Sequence, residues 1–123
     1  MKQNIVAEKS ITFALRIVKA YKFLCNEKKE YVLSKQLLRS GTAIGAVIRE
    51  SEHAESKADF IHKLSIALKE ANETDYWLFI LKESNYITKA EYVSLGNDCQ
   101  ELLKLLASIV KTTKSNLQNA KAK

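Results

Sequence analysis

The chain predicts an all-α protein, an antiparallel up-down-up-down four-helix bundle. Three observations lead there. There is no proline in 123 residues and there are only three glycines, so little in the chain breaks a helix. Apolar residues recur at three- and four-residue steps through four long segments. Capping signals punctuate those segments, and the linkers between them are short, which favours antiparallel neighbours.

Helix 1 is expected over residues 4–28. Val6, Phe13, Ile17, Ala20 and Leu24 form its main apolar line. A second stripe of Ile11, Ala14, Val18, Tyr21 and Cys25 widens the apolar face. Helix 2 is expected over 34–54, with Ser34 as N-cap and Leu33 and Leu38 at the spacing of a hydrophobic staple. Leu37, Ile44 and Ile48 form its core line. Gly41 and Gly45, one turn apart, each cost roughly 1 kcal/mol relative to alanine inside a helix. The compensating reason is a close approach of another helix, rather than a membrane dimerisation motif, because Arg39, Arg49 and Glu50 flank them.

Helix 3 is expected over 56–84, capped by Ser56 with Asp59 three residues on. Phe60, Leu64, Ala67, Ala71, Thr74, Leu78 and Leu81 keep a heptad-like step. Tyr76, Trp77, Phe79 and Ile80 widen the apolar surface beyond that line, which marks them as a subunit interface. Helix 4 is expected over 88–118, with a Thr88/Glu91 capping box and an Ile87/Tyr92 staple. Its core line is Leu95, Cys99, Leu102, Leu106, Ile109 and Thr113, and its last residues are expected to fray.

Hydrophobic residues make up 46% of the chain and charged residues 28%, the balance of one globular domain over residues 1–123. No apolar run approaches the roughly 20 residues that span a bilayer. The segment MKQNIVAEKSITF lacks the apolar stretch and cleavage site of a signal peptide, so a cytoplasmic protein is expected. Cys25 and Cys99 then read as thiols, not as a disulfide.

The net charge of +6 is unevenly spread. Residues 1–24 carry Lys2, Lys9, Arg16, Lys19 and Lys22 against Glu8 alone, and residues 102–123 carry five lysines and no acid. The stretch between them is net −3. In an up-down bundle helices 1 and 4 are neighbours, so their basic faces are expected to merge into one positive surface. Lys9, Arg16, Lys19, Lys22, Lys104, Lys111 and Lys114 are its candidate phosphate contacts, with Phe23 as an aromatic platform. The plainer reading is a solvated helix face.

The run LLRSGTAIGAVIRES followed by DFIHKLSIALKEANETDYWL resembles the four-helix-bundle proteins encoded in intervening sequences of bacterial 23S rRNA genes. The likeness extends to KFLCNEKKEYVLSKQLLRS and so over nearly the whole chain. That family includes accessory proteins of diversity-generating retroelements. The resemblance implies a helical bundle that assembles as a homo-pentamer and presents a positive surface to nucleic acid. It implies no established enzymatic activity. Arg39, Ser40, Ile44, Gly45, Ala46, Ile48 and Glu50 match the family's helix 2 pattern. Phe60, Leu64, Ala67, Leu68, Glu70, Ala71, Glu73, Thr74, Tyr76, Trp77 and Leu78 match its helix 3 pattern. Val47 stands where the family usually has asparagine, and Ser51 where it often has glycine.

Glu70, Asn72, Glu73 and Asp75 interrupt an apolar helix. Such carboxylates need partners. Arg16 and Arg39 are candidates, and Arg39, Glu50, Glu70 and Glu73 are expected to form a structural polar network. A catalytic carboxylate pair is the sharper reading, but no nucleophile, phosphate loop or histidine accompanies it on that face. Glu50–His53 and Asp59–His62 imitate half of a di-iron site. They flank a loop instead of the bundle centre, so no metal and no cofactor is expected. The function expected is a non-enzymatic oligomer that binds structured RNA, such as ribosomal RNA, or DNA. The alternative is a scaffold or accessory subunit that binds another protein and makes no contact with nucleic acid. A metalloenzyme is a distant third.

Overall fold

The computed structural model describes residues 2–122, and the side chains of residues 5–121. Met1 and Lys123, the ends of the expected domain, lie outside the described residues. Four helices follow in order: α1 (Lys2–Asn26), α2 (Leu33–Ser51), α3 (Lys57–Glu83) and α4 (Lys89–Ala122). Each packs on the next and α1 packs on α4, so α1 and α3 stand on one diagonal and α2 and α4 on the other.

Side-chain pairs give the direction. Lys9 meets Glu101 while Arg16, further along α1, meets Ser94 and Asp98, earlier along α4. Ile17 lies against Gly41 and Ser10 against Gly45. Neighbouring helices therefore run antiparallel. The core is the inner line of all four: Val6, Phe13, Ile17 and Leu24; Leu37, Ile44 and Ile48; Leu64, Ala67, Ala71, Leu78 and Leu81; Leu95, Cys99, Leu102, Leu106 and Ile109. All of these had been expected inside except that α1 buries less than its sequence offers. Its second stripe lies at the surface: Ile11 is 49% exposed, and Ala14, Val18, Tyr21 and Cys25 are half-buried beside it.

The paired glycines have the expected cause. A Cβ on Gly41 would stand 2.8 Å from both γ carbons of the fully buried Ile17, and one on Gly45 would stand 3.2 Å from Ser10 Oγ. Buried polar groups are matched across the core. Thr74 Oγ1 donates to Ser40 Oγ at 2.9 Å, joining α3 to α2, and the Cys99 thiol donates to the Ala71 carbonyl at 3.2 Å. Burial, with Asp75 nearby, pushes that thiol up to about 12. Both cysteines are free.

The helix ends correct one expectation. Ser34 is not the N-cap of α2. The helix starts one residue earlier, and the Glu30 carboxylate accepts the amides of Val32 (3.2 Å), Leu33 (3.1 Å) and Ser34 (2.7 Å). The Ser34 hydroxyl turns inward and donates to the Glu30 carbonyl at 2.8 Å. A carboxylate three residues before the helix outcompetes a hydroxyl because it carries full charge and can accept several donors at once. The Ser56 cap of α3 is present, its hydroxyl accepting from the Asp59 amide at 3.0 Å. The Thr88/Glu91 box is reciprocal, at 2.7 and 3.1 Å. Helix α2 ends at Ser51, three residues short of expectation, because the amides of Glu52, His53 and Ala54 turn to carbonyls three residues back. Helix α4 runs further than expected, to Ala122.

Candidate nucleic-acid interface

On α1, the residues that face α4 include Lys9, Arg16, Ala20 and Phe23, at steps of seven, four and three. On α4, the edge facing them carries Glu91, Ser94, Asp98 and Glu101. The seam between the two helices is therefore balanced in charge. Arg16 Nη1 meets Asp98 at 2.5 Å, and its other nitrogen donates to Ser94 Oγ at 2.8 Å. Lys9 Nζ lies 3.2 Å from Glu101. The expected single positive surface is thus divided. Its unpaired lysines stand in two groups on the outward faces: Lys19 and Lys22 toward one end, and Lys104, Lys111 and Lys114 toward the other. All five are exposed, and none makes an ion pair among the described residues. The antiparallel register separates Lys19 from Lys104 by roughly 18 Å along the axis.

Between α1 and α4 a cleft of about 530 Å³ is lined by Arg16, Lys19, Ala20, Phe23, Ile87 and Leu95, among others. Phe23 is half-buried in its wall, and Lys28 Nζ lies 5.8 Å from the ring centroid. The seam acids were missed in the sequence, although the signal was present. Lys9 and Arg16 share one edge of α1, and Asp98 and Glu101, three residues apart, share one edge of α4, which lets two antiparallel helices pair charges.

The polar network joins Arg39, Glu70 and Glu73 but not Glu50, and Arg16, the other candidate partner, is absent from it. Arg39 holds Glu70 through two hydrogen bonds, at 2.9 and 3.3 Å, and also holds Glu73. Trp77 Nε1 donates to Glu73 at 3.0 Å. The Trp77 hydrogen bond first, and Arg39 second, hold the Glu73 carboxyl below the usual glutamate range. Glu50 is exposed and its side chain has no polar partner among the described residues. It shares the Arg39 side of α2 but lies eleven residues on, roughly 16 Å away along the axis. Arg16 cannot reach these carboxylates because α1 and α3 are diagonal.

Of the expected interface residues, Tyr76 is 54% exposed and Phe79 41%, while Trp77 and Ile80 are half-buried. Tyr76 stacks edge-on against Trp77, and Lys82 covers Phe79 and Tyr92. A second apolar area was not anticipated as surface. Ile11 and Leu15 (66% exposed) flank a groove of about 790 Å³ floored by Ala14, Thr42, Gly45 and Ala46. His53 and His62 are exposed, and among the described residues no three His, Cys, Asp or Glu side chains are grouped to hold a metal ion.

A four-helix bundle with a charge-balanced seam, outward lysines and two exposed apolar areas is the class of protein that fold and surface define. The sequence model of the 23S rRNA-intervening sequence protein family matches residues 2–108, and the chain belongs to that family. It is also similar to a protein of unknown function from the S23 ribosomal protein family of Bacteroides thetaiotaomicron. That crystal structure shares 63% identity with this chain over 90% of its length and 99% of the other's, with a TM-score of 0.89. No curated protein matches. Among the described residues no helix is long and apolar enough to cross a membrane.

Proposed function

We propose that this protein is a non-enzymatic, cytoplasmic oligomer that binds structured RNA through the outward lysines of α1 and α4. The observation that carries this reading is the charge distribution. Lys19, Lys22, Lys104, Lys111 and Lys114 are exposed and make no ion pair among the described residues, whereas Lys9 and Arg16 are engaged by α4. Exposed, unpaired lysines neutralise phosphates at low cost, since no protein partner must be given up first. Lys9 and Arg16 then hold the two helices in place, and Phe23 beside Lys19 offers a face for an unpaired base. The family's connection with 23S rRNA genes supports RNA over DNA.

Assembly follows from the apolar surface. A ring of identical subunits joins unlike faces. The α1/α2 groove around Ile11 and Leu15 and the outer face of α3 around Tyr76 and Phe79 are unlike and both apolar. A homo-pentamer, the assembly the family resemblance implies, would repeat the lysine groups five times and convert weak contacts into avid binding. The same apolar areas favour the second reading, a scaffold that holds another protein without touching nucleic acid. Competition separates the two: RNA bound through phosphates is displaced by raised salt, whereas a protein held on Ile11 and Leu15 is not. In the RNA assay, replacing Lys19, Lys22, Lys104 and Lys111 by glutamate is expected to abolish binding while leaving the helical signal intact. Unchanged affinity would sink the RNA reading.

A further inference from the structure

We infer that the C-terminal overhang of α4 is an RNA-backbone arm added to the family domain, with Lys111, Lys114 and Lys121 as its phosphate contacts. The inference rests on the RNA reading above and extends it to a segment outside the family match, which ends at residue 108. The last core residues of α4 are Ile109 and Val110, yet the helix continues to Ala122. That is twelve further residues, of which the last nine project roughly 14 Å past the start of α3. Only its start runs beside the bundle, where Lys111, Lys114, Ser115 and Gln118 line a cavity with Leu68 of α3. Cys99 lies level with Ala71, so α3, which begins at Lys57, runs out opposite residue 113. Beyond that level only Leu117 is half-buried, and the other described side chains are exposed.

The composition of the overhang selects its partner. From Leu102 to the end there is no acidic residue, and Lys111, Lys114 and Lys121 make no ion pair among the described residues. Together with Lys104 they fall within about a 100° arc of the helix, one continuous stripe. The exposed side chains around them include Thr112, Ser115, Gln118 and Asn119, which can donate and accept hydrogen bonds with phosphate oxygens and ribose 2′-hydroxyls. The segment has no aromatic residue and a single leucine, so it offers little apolar area to a protein partner. Lysines near a helix C-terminus also favour the helix dipole. That effect explains why the helix persists but does not explain why no acid balances them.

The test uses the full-length chain and a fluorescein-labelled RNA hairpin, with anisotropy read across a salt series. The Lys111→Gln/Lys114→Gln/Lys121→Gln variant is expected to keep the wild-type melting temperature. The slope of log affinity against log salt should shrink by about 3, one for each lost phosphate contact. The three Lys→Arg exchanges should retain the slope. A glutamine variant with the wild-type slope, while Lys19→Gln/Lys22→Gln loses affinity, would overturn the arm and leave the RNA reading standing. No binding by the wild-type protein at low salt would overturn both. Tighter binding of a DNA hairpin of the same sequence would overturn the assignment to RNA.

Discussion

At Gly41 there is no room for a methyl group. Ile17 is fully buried and cannot give way, so Gly41→Ala brings overlap with two of its carbons that outweighs the helix preference of alanine. A net loss of about 1 kcal/mol or more is expected, read from the urea midpoint. Gly96 has no atom within 4 Å of its missing Cβ, so Gly96→Ala is expected to raise stability by up to about 1 kcal/mol. The reverse ranking would mean that α1 does not press on α2 as described. Glu30 supplies a second prediction. Burial alone would raise its carboxyl, but hydrogen bonds from Ser34, Leu33 and Val32 outweigh this and bring it below the usual glutamate range. Its contribution is therefore complete above the unfolded value of about 4.3 and is lost as pH falls through the lower folded value. Glu30→Gln is expected to cost about 1 kcal/mol at pH 7 and to flatten the acid limb of the stability curve. An acid limb identical to wild type would contradict the cap. The glycine reason was legible in the sequence because spacing alone implies close approach. The Glu30 cap was not, because Ser34 satisfied the usual cap pattern and nothing local shows that its hydroxyl turns inward.

The helices themselves were the most legible feature, since their inner lines at Leu37, Ile44, Leu64, Ala71, Leu102 and Leu106 are all buried as the periodicity requires. Their ends were less so. Asn85 adopts a left-handed backbone, with φ 66°, and closes α3: the amides of Asn85 and Tyr86 return to the carbonyls of Lys82 and Leu81. Asparagine tolerates that conformation better than most residues, but the sequence offers no periodic signal for it. Between α2 and α3 the Arg39 cluster ties two helices at a half-exposed seam, and solvent weakens it. Glu73→Ala is accordingly expected to cost about 1 kcal/mol or less by this route, a melting temperature a few degrees lower. A much larger loss would mean that Glu73 and Trp77 are covered by a neighbouring subunit.

At the scale of the whole molecule, charge and apolar surface are sorted to different places. The seam between α1 and α4 is neutralised by Asp98 and Glu101, lysines point outward at both ends, and the groove beside Ile11 and Leu15 lies away from the seam, between α1 and α2. The excess of basic residues at the chain ends could be counted in the sequence. Its division into paired and unpaired groups could not, because it depends on which edge of α4 meets α1. The exposed second stripe of α1 escaped for a related reason: periodicity shows that a face is apolar, but not what covers it.

The central claim is an oligomer that carries RNA on its unpaired lysines. Its most direct test is light scattering coupled to size exclusion, run on the purified chain with and without a ribosomal RNA fragment at low and high salt. The account predicts a closed assembly, near 70 kDa if five copies of the 13.9 kDa chain associate, that takes up RNA at low salt and releases it at high salt without changing its protein mass. A monomer, or an intact assembly that takes up no RNA at low salt, would contradict it.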